Sequence, residues 1–301
     1  MPELPEVETV RRGLYQLTLN QKIIGGDVLL HRTVAYPPSV EEFITGIQGN
    51  QITTWQRRGK YLLAVLGKGV GSREWGQGGQ EENISSPSPP SPPSFLGVHL
   101  RMTGQLLWLH RDEPLHKHTR VRIFFENDRE LRFVDQRTFG QMWWVPQGIE
   151  VETVMTGLAK LAADPFAPKF TVEYLADKLK NSRRPIKTAL LDQSIIAGLG
   201  NIYADEALFL SHIRPETICA NLTLLQIQKL HPAIIQVLTT SIEAGGTTFS
   251  NFLNVKGING NYGGVALVYN RTGEPCRVCN SPIQRTRLGG RSSHFCVECQ
   301  K

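Results

Sequence analysis

Four cysteines, Cys276, Cys279, Cys296 and Cys299, fall in the last 26 residues of the 301-residue chain as C-x2-C-x16-C-x2-C. Each C-x-x-C pair folds into a tight knuckle, and two knuckles place four thiolates around a tetrahedral Zn2+. With every position filled by protein, one structural ion is expected. Thiol–disulfide exchange fits less well, because it uses a single C-x-x-C at a helix start. A secreted disulfide scaffold would spread its cysteines and leave no odd one, whereas Cys219 stands alone. The opening MPELPEVETV lacks the basic-then-apolar order of a secretory signal. No apolar run approaches the ~20 residues of a membrane span. A cytoplasmic protein with no membrane partner is expected. Lys and Arg total 33 against 27 for Asp and Glu, a net +6 that is compatible with a polyanionic partner but names none.

Three further stretches precede the cysteine tail. Residues 1–148 carry short apolar and β-branched runs, YLLAVL (61–66), QLLWL (105–109), RVRIFF (120–125) and ELRFV (130–134), separated by polar turns. That spacing predicts an antiparallel β-sandwich or barrel. A leading helix is expected before it, with Pro5 in the first turn, Glu6 and Glu8 at the positive end of the dipole, and an end at Gly13 or later. Residues 67–97 interrupt the pattern with 7 Gly, 5 Pro and 6 Ser among 31 residues. Such a composition cannot offset its ordering entropy, which predicts a disordered insertion between two strands. A proline-rich docking motif is the alternative there. Residues 149–160 are expected to link to a helical domain over 161–265, punctuated by Pro165, Pro168, Pro185 and Pro215. Residues 266–301 form the zinc unit. The expected architecture is α+β and multidomain: sandwich, helical domain, zinc-finger β-hairpin.

Three motifs carry chemistry. Pro2 follows Met1, and removal of Met1 would expose a secondary amine. An α-amine with a pKa near ~8 keeps a useful neutral fraction at pH 7. Such an amine can attack a sugar C1′ and form an iminium, with Glu3 and Glu6 near enough in sequence to shuttle protons. Taken alone, Met-Pro is a common start and the glutamates could simply serve the helix dipole. In AGLGNIYADEALF (197–209), glycines permit close backbone approach and a helix N-terminus offers N–H groups to an anion. Lys187 and Asn201 could flank a phosphate there, or the segment could be an ordinary helix hairpin. Between the cysteine pairs, Arg285, Arg287 and Arg291 read either as a hairpin presenting guanidiniums to phosphates or as a solvated one.

Together these segments resemble the formamidopyrimidine-DNA glycosylase family of bifunctional DNA repair enzymes. PELPEVETVRRGL at the start, RRGKYLL (57–63), HLRMTGQL (99–106), DQRTFG (135–140), GLGNIYADEALF (198–209), GGTTFSNF (245–252) and the terminal cysteines match in the family's order. The resemblance implies excision of oxidised purines, formamidopyrimidines and 8-oxoguanine, from double-stranded DNA by a monomer. DNA would lie between the domains, and the protein would sit on the nucleoid when bound. Pro2 would be the nucleophile at C1′, Glu3 the acid/base on the ring oxygen, and Glu6 a proton-transfer or water-positioning residue. Lys60 would assist catalysis beside a phosphate. Arg291 would join the catalytic group from the zinc hairpin while gripping a phosphate, and His99, Lys187 and Asn201 would bind DNA. Met102, Arg137 and Phe139 would fill the space of the everted nucleotide, with Arg137 on the orphaned cytosine; without the family, Met102 and Phe139 read as strand core. Residues 247–264 would cap the flipped base.

Arg101 stands where the family usually has glycine, and Thr138 where a basic residue is common. Two rival readings remain at this point. The endonuclease VIII branch of the same superfamily would take oxidised pyrimidines. A non-catalytic zinc-dependent DNA-binding protein would need the zinc and glycine-turn motifs but not Pro2, Glu3 or Lys60.

Overall fold

The computed structural model describes residues 1–68, 92–247 and 253–301. Most of the expected insertion, and residues 248–252 of the expected capping segment, lie outside the described residues.

Helix α1 (Leu4–Thr18) carries Val7, Val10 and Leu14 on one face, all fully buried. That stripe continues past Gly13, so burial outweighs the roughly 1 kcal/mol that a mid-helix glycine costs. The helix closes at Thr18, whose hydroxyl donates to the Leu14 carbonyl at 2.8 Å and accepts the Trp55 indole N–H at 2.8 Å.

The chain continues through β1 (Ile23–Val28), β2 (Val34–Tyr36), α2 (Val40–Ile47), β3 (Asn50–Arg58), β4 (Tyr61–Lys68), β5 (Ser94–His99), β6 (Gly104–His110), β7 (Thr119–Phe125), β8 (Arg129–Asp135) and β9 (Gln141–Val145). These strands make two sheets, ordered β1-β7-β8-β6 and β2-β9-β5-β4-β3. Thr119, Val121, Ile123 and Phe125 alternate inward along β7, the period-2 burial that the sequence pattern predicts. The antiparallel expectation needs one correction: β2 pairs with β9 in parallel. The two strands are far apart in sequence, so no hairpin turn forces them to run in opposite directions.

At the end of β8, Asp135 ties two loops together. Its Oδ1 accepts the Thr103 hydroxyl at 2.5 Å and its Oδ2 accepts the Gly140 N–H at 2.7 Å. The loops after β5 and after β8 are thereby held at one end of their unit.

The second half is helical: α3 (Val151–Val154), α4 (Thr156–Ala159), α5 (Val172–Leu179), α6 (Ile186–Leu190), α7 (Asn201–Leu210) and α8 (Leu224–Glu243). The first two of these short helices occupy the stretch expected as a linker. Ile202 to Phe209 are buried without interruption, so α7 is a central helix rather than a surface one. A capping box between Thr223 and Gln226 starts α8. Strands β10 (Gln284–Leu288) and β11 (Arg291–Phe295) form a hairpin whose Gly289 and Gly290 have φ of +52° and +78°, the left-handed pair that a two-residue turn requires.

Residues cluster into two compact units: Met1–Arg11, Arg57–Tyr61 and Gly157–Lys301 in one, Arg12–Gln56 and Leu62–Thr156 in the other. The first eleven residues and the RRGKY turn thus group with the helices and the hairpin, which differs from the contiguous 1–148 expected from composition. Among the described residues, no helix is long and apolar enough to cross a membrane.

Candidate active site

The turn before α7 explains why glycines stand there. Gly198 has φ +90°, and a Cβ on it would sit 2.8 Å from the Leu4 Cβ. Gly200 has extended backbone open to any residue, but a Cβ there would lie 2.2 Å from the Glu3 Cδ. Both glycines therefore make room for the chain's own first residues. The Leu4 N–H donates to the Gly198 carbonyl at 3.1 Å, and the Glu3 Oε1 accepts the Ile202 N–H at 3.1 Å. The N–H group that the sequence offers to an outside anion is occupied by Glu3. A carboxylate suits it, because the helix N-terminus carries partial positive charge. Gly200→Ala is expected to expel the Glu3 carboxylate while leaving α7 intact. If Glu3 is the acid, single-turnover base release falls by about 100-fold or more, with an unchanged circular-dichroism spectrum.

Glu3 is only 2% exposed. Burial pushes its carboxyl above the usual range, opposed first by the Lys60 charge and then by the Ile202 N–H. Among the described residues its Oε2 has no hydrogen-bond partner. One oxygen is held and the other is free to gain or lose a proton. Glu6 is held differently. Its Oε2 accepts the Glu3 N–H at 2.8 Å, and its Oε1 accepts the Thr247 N–H at 2.8 Å and the Tyr203 hydroxyl at 2.5 Å. Burial, then the Glu3 charge, push Glu6 up to about 7 against these donors. The Tyr203 oxygen in turn accepts the Ser241 hydroxyl at 2.6 Å. Neither Tyr203 nor Ser241 is singled out by the sequence. Each lies on a helix at an apolar-face spacing and reads there as core.

Lys60 follows a tight turn with Gly59 at φ +57°. Arg57 braces that turn, donating to the Gly59 carbonyl at 3.2 Å and pairing with Glu8 at 3.1 Å and Asp164 at 2.6 Å. Burial lowers the Lys60 ammonium pKa, the charges of Glu3 and Glu6 raise it, and Arg291 lowers it further. Glu3, Glu6, Lys60 and Arg291 are therefore electrostatically linked. Pro2 is buried and precedes Glu3 directly, and Met1 is 40% exposed.

The expectation for Lys187 needs correction. Its side chain is 1% exposed, and its Nζ sits 2.6 Å from the Asp205 Oδ1 and 2.5 Å from the Ser292 carbonyl. An ammonium already paired and enclosed does not present itself to a phosphate. Asn201, the first residue of α7, is half-buried beside Tyr269.

The other unit carries the remaining expected DNA-binding residues. His99 is buried, and its Nδ1 accepts the Arg101 N–H at 2.9 Å. Met102 is half-buried, Arg137 is exposed, and Phe139 is 53% exposed. The Thr103 hydroxyl oxygen accepts the Arg137 N–H at 2.9 Å, joining the two loops that bear these three side chains. Arg137 stacks over the Phe139 ring at 5.0 Å. The strand-core alternative fails for Phe139, which stands in water. Arg101 and Thr138, the two departures noted above, have φ of +52° and +57°. That backbone favours glycine, which accounts for the family's usual choice at Arg101. At Thr138 the hydroxyl accepts a hydrogen bond from Arg32.

In the tail, the four cysteine sulfurs all lie within 4.8 Å of one another. Cys276 and Cys299 approach to 3.8 Å and Cys279 and Cys296 to 3.4 Å. A tetrahedral zinc with Zn–S bonds of about 2.3 Å needs sulfurs roughly 3.8 Å apart, so the set fits the ion. The Val278 N–H points at the Cys276 sulfur at 3.5 Å, the orientation expected around a thiolate ligand. Beneath the site, among the described residues, Phe209, Val268 and Ile283 join Cys276 and Cys296 in a buried cluster, with Leu210, Leu267 and Cys299 partly buried against it. Such a small core cannot hold the hairpin unaided, and zinc ligation supplies folding energy. Cys296→Ser or strong chelation is expected to melt the hairpin but spare the helices, weakening binding to damaged duplex DNA at least about tenfold if Arg291 grips a phosphate. Fluorescence anisotropy alongside zinc analysis measures this.

Comparison with known proteins agrees with this arrangement. Residues 1–142 match the formamidopyrimidine-DNA glycosylase N-terminal domain, 161–252 its H2TH domain, and 273–301 the zinc finger found in FPG and IleRS. A formamidopyrimidine-DNA glycosylase of Nostoc punctiforme is 72% identical over 100% of this chain and 96% of its own length. That of Trichodesmium erythraeum is 60% identical over the whole of both. Among solved structures, Lactococcus lactis Fpg with a Fapy-dG containing DNA superposes with a TM-score of 0.83 at 33% identity, covering 99% of this chain and 100% of that one. The same enzyme with an abasic-site DNA gives 0.84 at 32% identity, covering 99% of each. With all three domains matched in order and such identity end to end, the chain belongs to the formamidopyrimidine-DNA glycosylase family.

Proposed function

We propose that this chain is a base-excision repair enzyme, a DNA glycosylase and AP lyase that removes oxidised purines from double-stranded DNA in the cytoplasm as a monomer. The observation that carries this reading is the buried carboxylate pair behind Pro2. Glu3 has one anchored and one free oxygen, and Glu6 is held by three donors.

The chemistry follows from that asymmetry. The damaged nucleotide must leave the stack, at a cost of a few kcal/mol, before its C1′ can be reached. After Met1 is removed, the neutral Pro2 amine attacks C1′ and the N-glycosidic bond breaks, its electrons leaving with the base, which takes up the proton that the Pro2 nitrogen sheds. Glu3, protonated because burial raises its pKa, gives its proton to the ring oxygen. The ring opens and a C1′ iminium to Pro2 remains. Loss of a C2′ proton to a carboxylate expels the 3′-phosphate by β-elimination. Further δ-elimination expels the 5′-phosphate, and water then hydrolyses the iminium to free Pro2. The products are a sugar fragment and a one-nucleotide gap with phosphate on both sides.

Glu6 suits the proton-accepting part. Every group it touches is a donor, which matches its ionised form, yet its pKa near 7 lets it take up a proton. Lys60 and Arg291 would balance phosphate charge beside the lesion, while Phe139, Arg137 and Met102 fill the vacated stack. The zinc ion, when bound, supplies only structure.

Parallel single-turnover excision assays test the substrate class, using 8-oxoguanine opposite cytosine and thymine glycol opposite adenine. Faster release of 8-oxoguanine is expected. Faster release of thymine glycol would favour the pyrimidine-directed branch, and tight binding without release would favour a non-catalytic DNA-binding protein.

A further inference from the structure

Lys187 and Asp205 form a buried pair that the proposed chemistry does not use. The Lys187 side chain is 1% exposed and the Asp205 side chain 0%. Two charges withdrawn that far from water need partners, and here three elements supply them. Lys187 from α6 meets the Asp205 Oδ1 of α7 at 2.6 Å and donates to the Ser292 carbonyl of β11 at 2.5 Å. The Asp205 Oδ2 meets β11 again, accepting the His294 N–H at 2.9 Å and lying 3.1 Å from the His294 Nδ1. The His294 ring packs edge-on against Tyr269 at 4.9 Å. Both polar ends of the pair therefore grip the same strand, at two residues that follow Arg291.

Apart from its pairing with β10 and the cysteine cluster that follows it, the strand has a small apolar support. Its partner β10 is largely exposed, and among the described residues Phe209, Val268 and Ile283 join Cys276 and Cys296 in the buried apolar cluster beneath the hairpin, with Leu210, Leu267 and Cys299 partly buried against it. Arg291 itself is exposed, yet its charge bears on Lys60 beside Glu3. Where Arg291 points thus depends on how β11 is seated, and the buried pair seats it.

We propose that Lys187 is a positioning residue that contacts no phosphate itself. Through Asp205 and the Ser292 carbonyl it locks β11 onto α6 and α7, so that Arg291 is held toward the phosphate beside the lesion. This rests on the proposed phosphate role of Arg291.

The test is a double-mutant cycle on the zinc-loaded full chain. Lys187→Met, Arg291→Ala, their combination and Asp205→Asn are titrated with duplex DNA carrying a tetrahydrofuran abasic analogue, over a range of salt concentrations. Lys187→Met and Arg291→Ala are each expected to weaken binding about tenfold and to lower the slope of log affinity against log salt by about one contact. The combination is expected to bind within about threefold of either single variant, because the second change removes a contact already lost. Asp205→Asn should weaken binding as Lys187→Met does. A merely stabilising pair would leave the salt slope of the folded protein unchanged, which would overturn the proposal. So would a combined loss near the product of the single losses with the slope reduced twice, or an Asp205→Asn variant that binds as tightly as the parent. Should Lys187→Met fail to fold, Lys187→Arg decides: a direct phosphate contact would survive the change, whereas a slot closed around an ammonium would not tolerate it. An Arg291→Ala variant with unchanged affinity and slope would overturn the phosphate role of Arg291 and this inference with it. Additive losses beside a clear Arg291 effect would overturn the inference alone.

Discussion

A chain that keeps Met1 is expected to release no oxidised base. With Met1 attached, the Pro2 nitrogen is a tertiary amide whose lone pair is delocalised into the carbonyl. It has no nucleophilicity toward C1′ and cannot form an iminium. Freed, it becomes a secondary amine with a pKa near ~8, part of which is neutral at pH 7. Retention can be enforced by expression without the methionine aminopeptidase, and mass spectrometry reports the state of the terminus. The two forms should bind a tetrahydrofuran duplex alike within a few-fold, because Met1 is exposed and need not displace the proposed phosphate ligands Lys60 and Arg291. The activity ratio should exceed about 10,000-fold, since covalent and general acid–base contributions are lost together. Equal activity of the two forms would remove the amine from the mechanism.

Glu3→Gln is expected to have the second-largest effect, slowing base release by about 100- to 10,000-fold. The introduced amide keeps an oxygen to accept the Ile202 N–H, so the turn before α7 should hold its shape. What disappears is the transferable proton. The pH profile makes the argument sharper. Burial raises the Glu3 pKa, so in the parent protein the proton persists above the ordinary carboxylate range and is lost as pH rises through the raised value. The parent rate should fall on that alkaline side, and the fall should be absent in Glu3→Gln. On the acid side, Glu6 takes up its proton as pH drops through about 7, leaving no base for the proton-accepting step. That acid limb should survive in Glu3→Gln, because Glu6 still takes up its own proton there.

Much of this arrangement is legible in the sequence, for identifiable reasons. The cysteine spacing anticipates four sulfurs in one cluster, because a knuckle is a local object fixed by a few residues. The Gly289–Gly290 turn between two short strands is equally local. The alternation along β7 and the stripe along α1 are readable as periodicities. The glycines at 198 and 200 do mark places of close approach, but the approaching group differs from the one expected. In place of an outside anion, the Glu3 carboxylate occupies the position from almost two hundred residues away in sequence. Nothing local distinguishes the two.

The same limit applies to Lys187. A lysine near a helix start in a basic protein reads as a phosphate ligand. Only tertiary structure reveals that Asp205 and the Ser292 carbonyl enclose it. Tyr203, Ser241 and Asp135 escape notice in the sequence because their polar atoms meet partners brought together only by folding. The grouping of Met1–Arg11 and Arg57–Tyr61 with the helices is likewise invisible to composition, which changes only near residue 150. Arg101 and Thr138 stand out as departures from a familiar pattern, and the positive φ at Arg101 supplies the physical reason for glycine there.

The most direct measurement is borohydride trapping on a duplex with 8-oxoguanine opposite cytosine, followed by proteolysis and mass spectrometry of the adduct. Reduction of a C1′ iminium fixes the sugar to whichever nitrogen formed it. The expected result is one cross-linked peptide, beginning at Pro2 and lacking Met1, with the adduct on its terminal nitrogen. An adduct on Lys60 or another lysine, or efficient base release with no trapped species, would contradict the amine of Pro2 as the nucleophile.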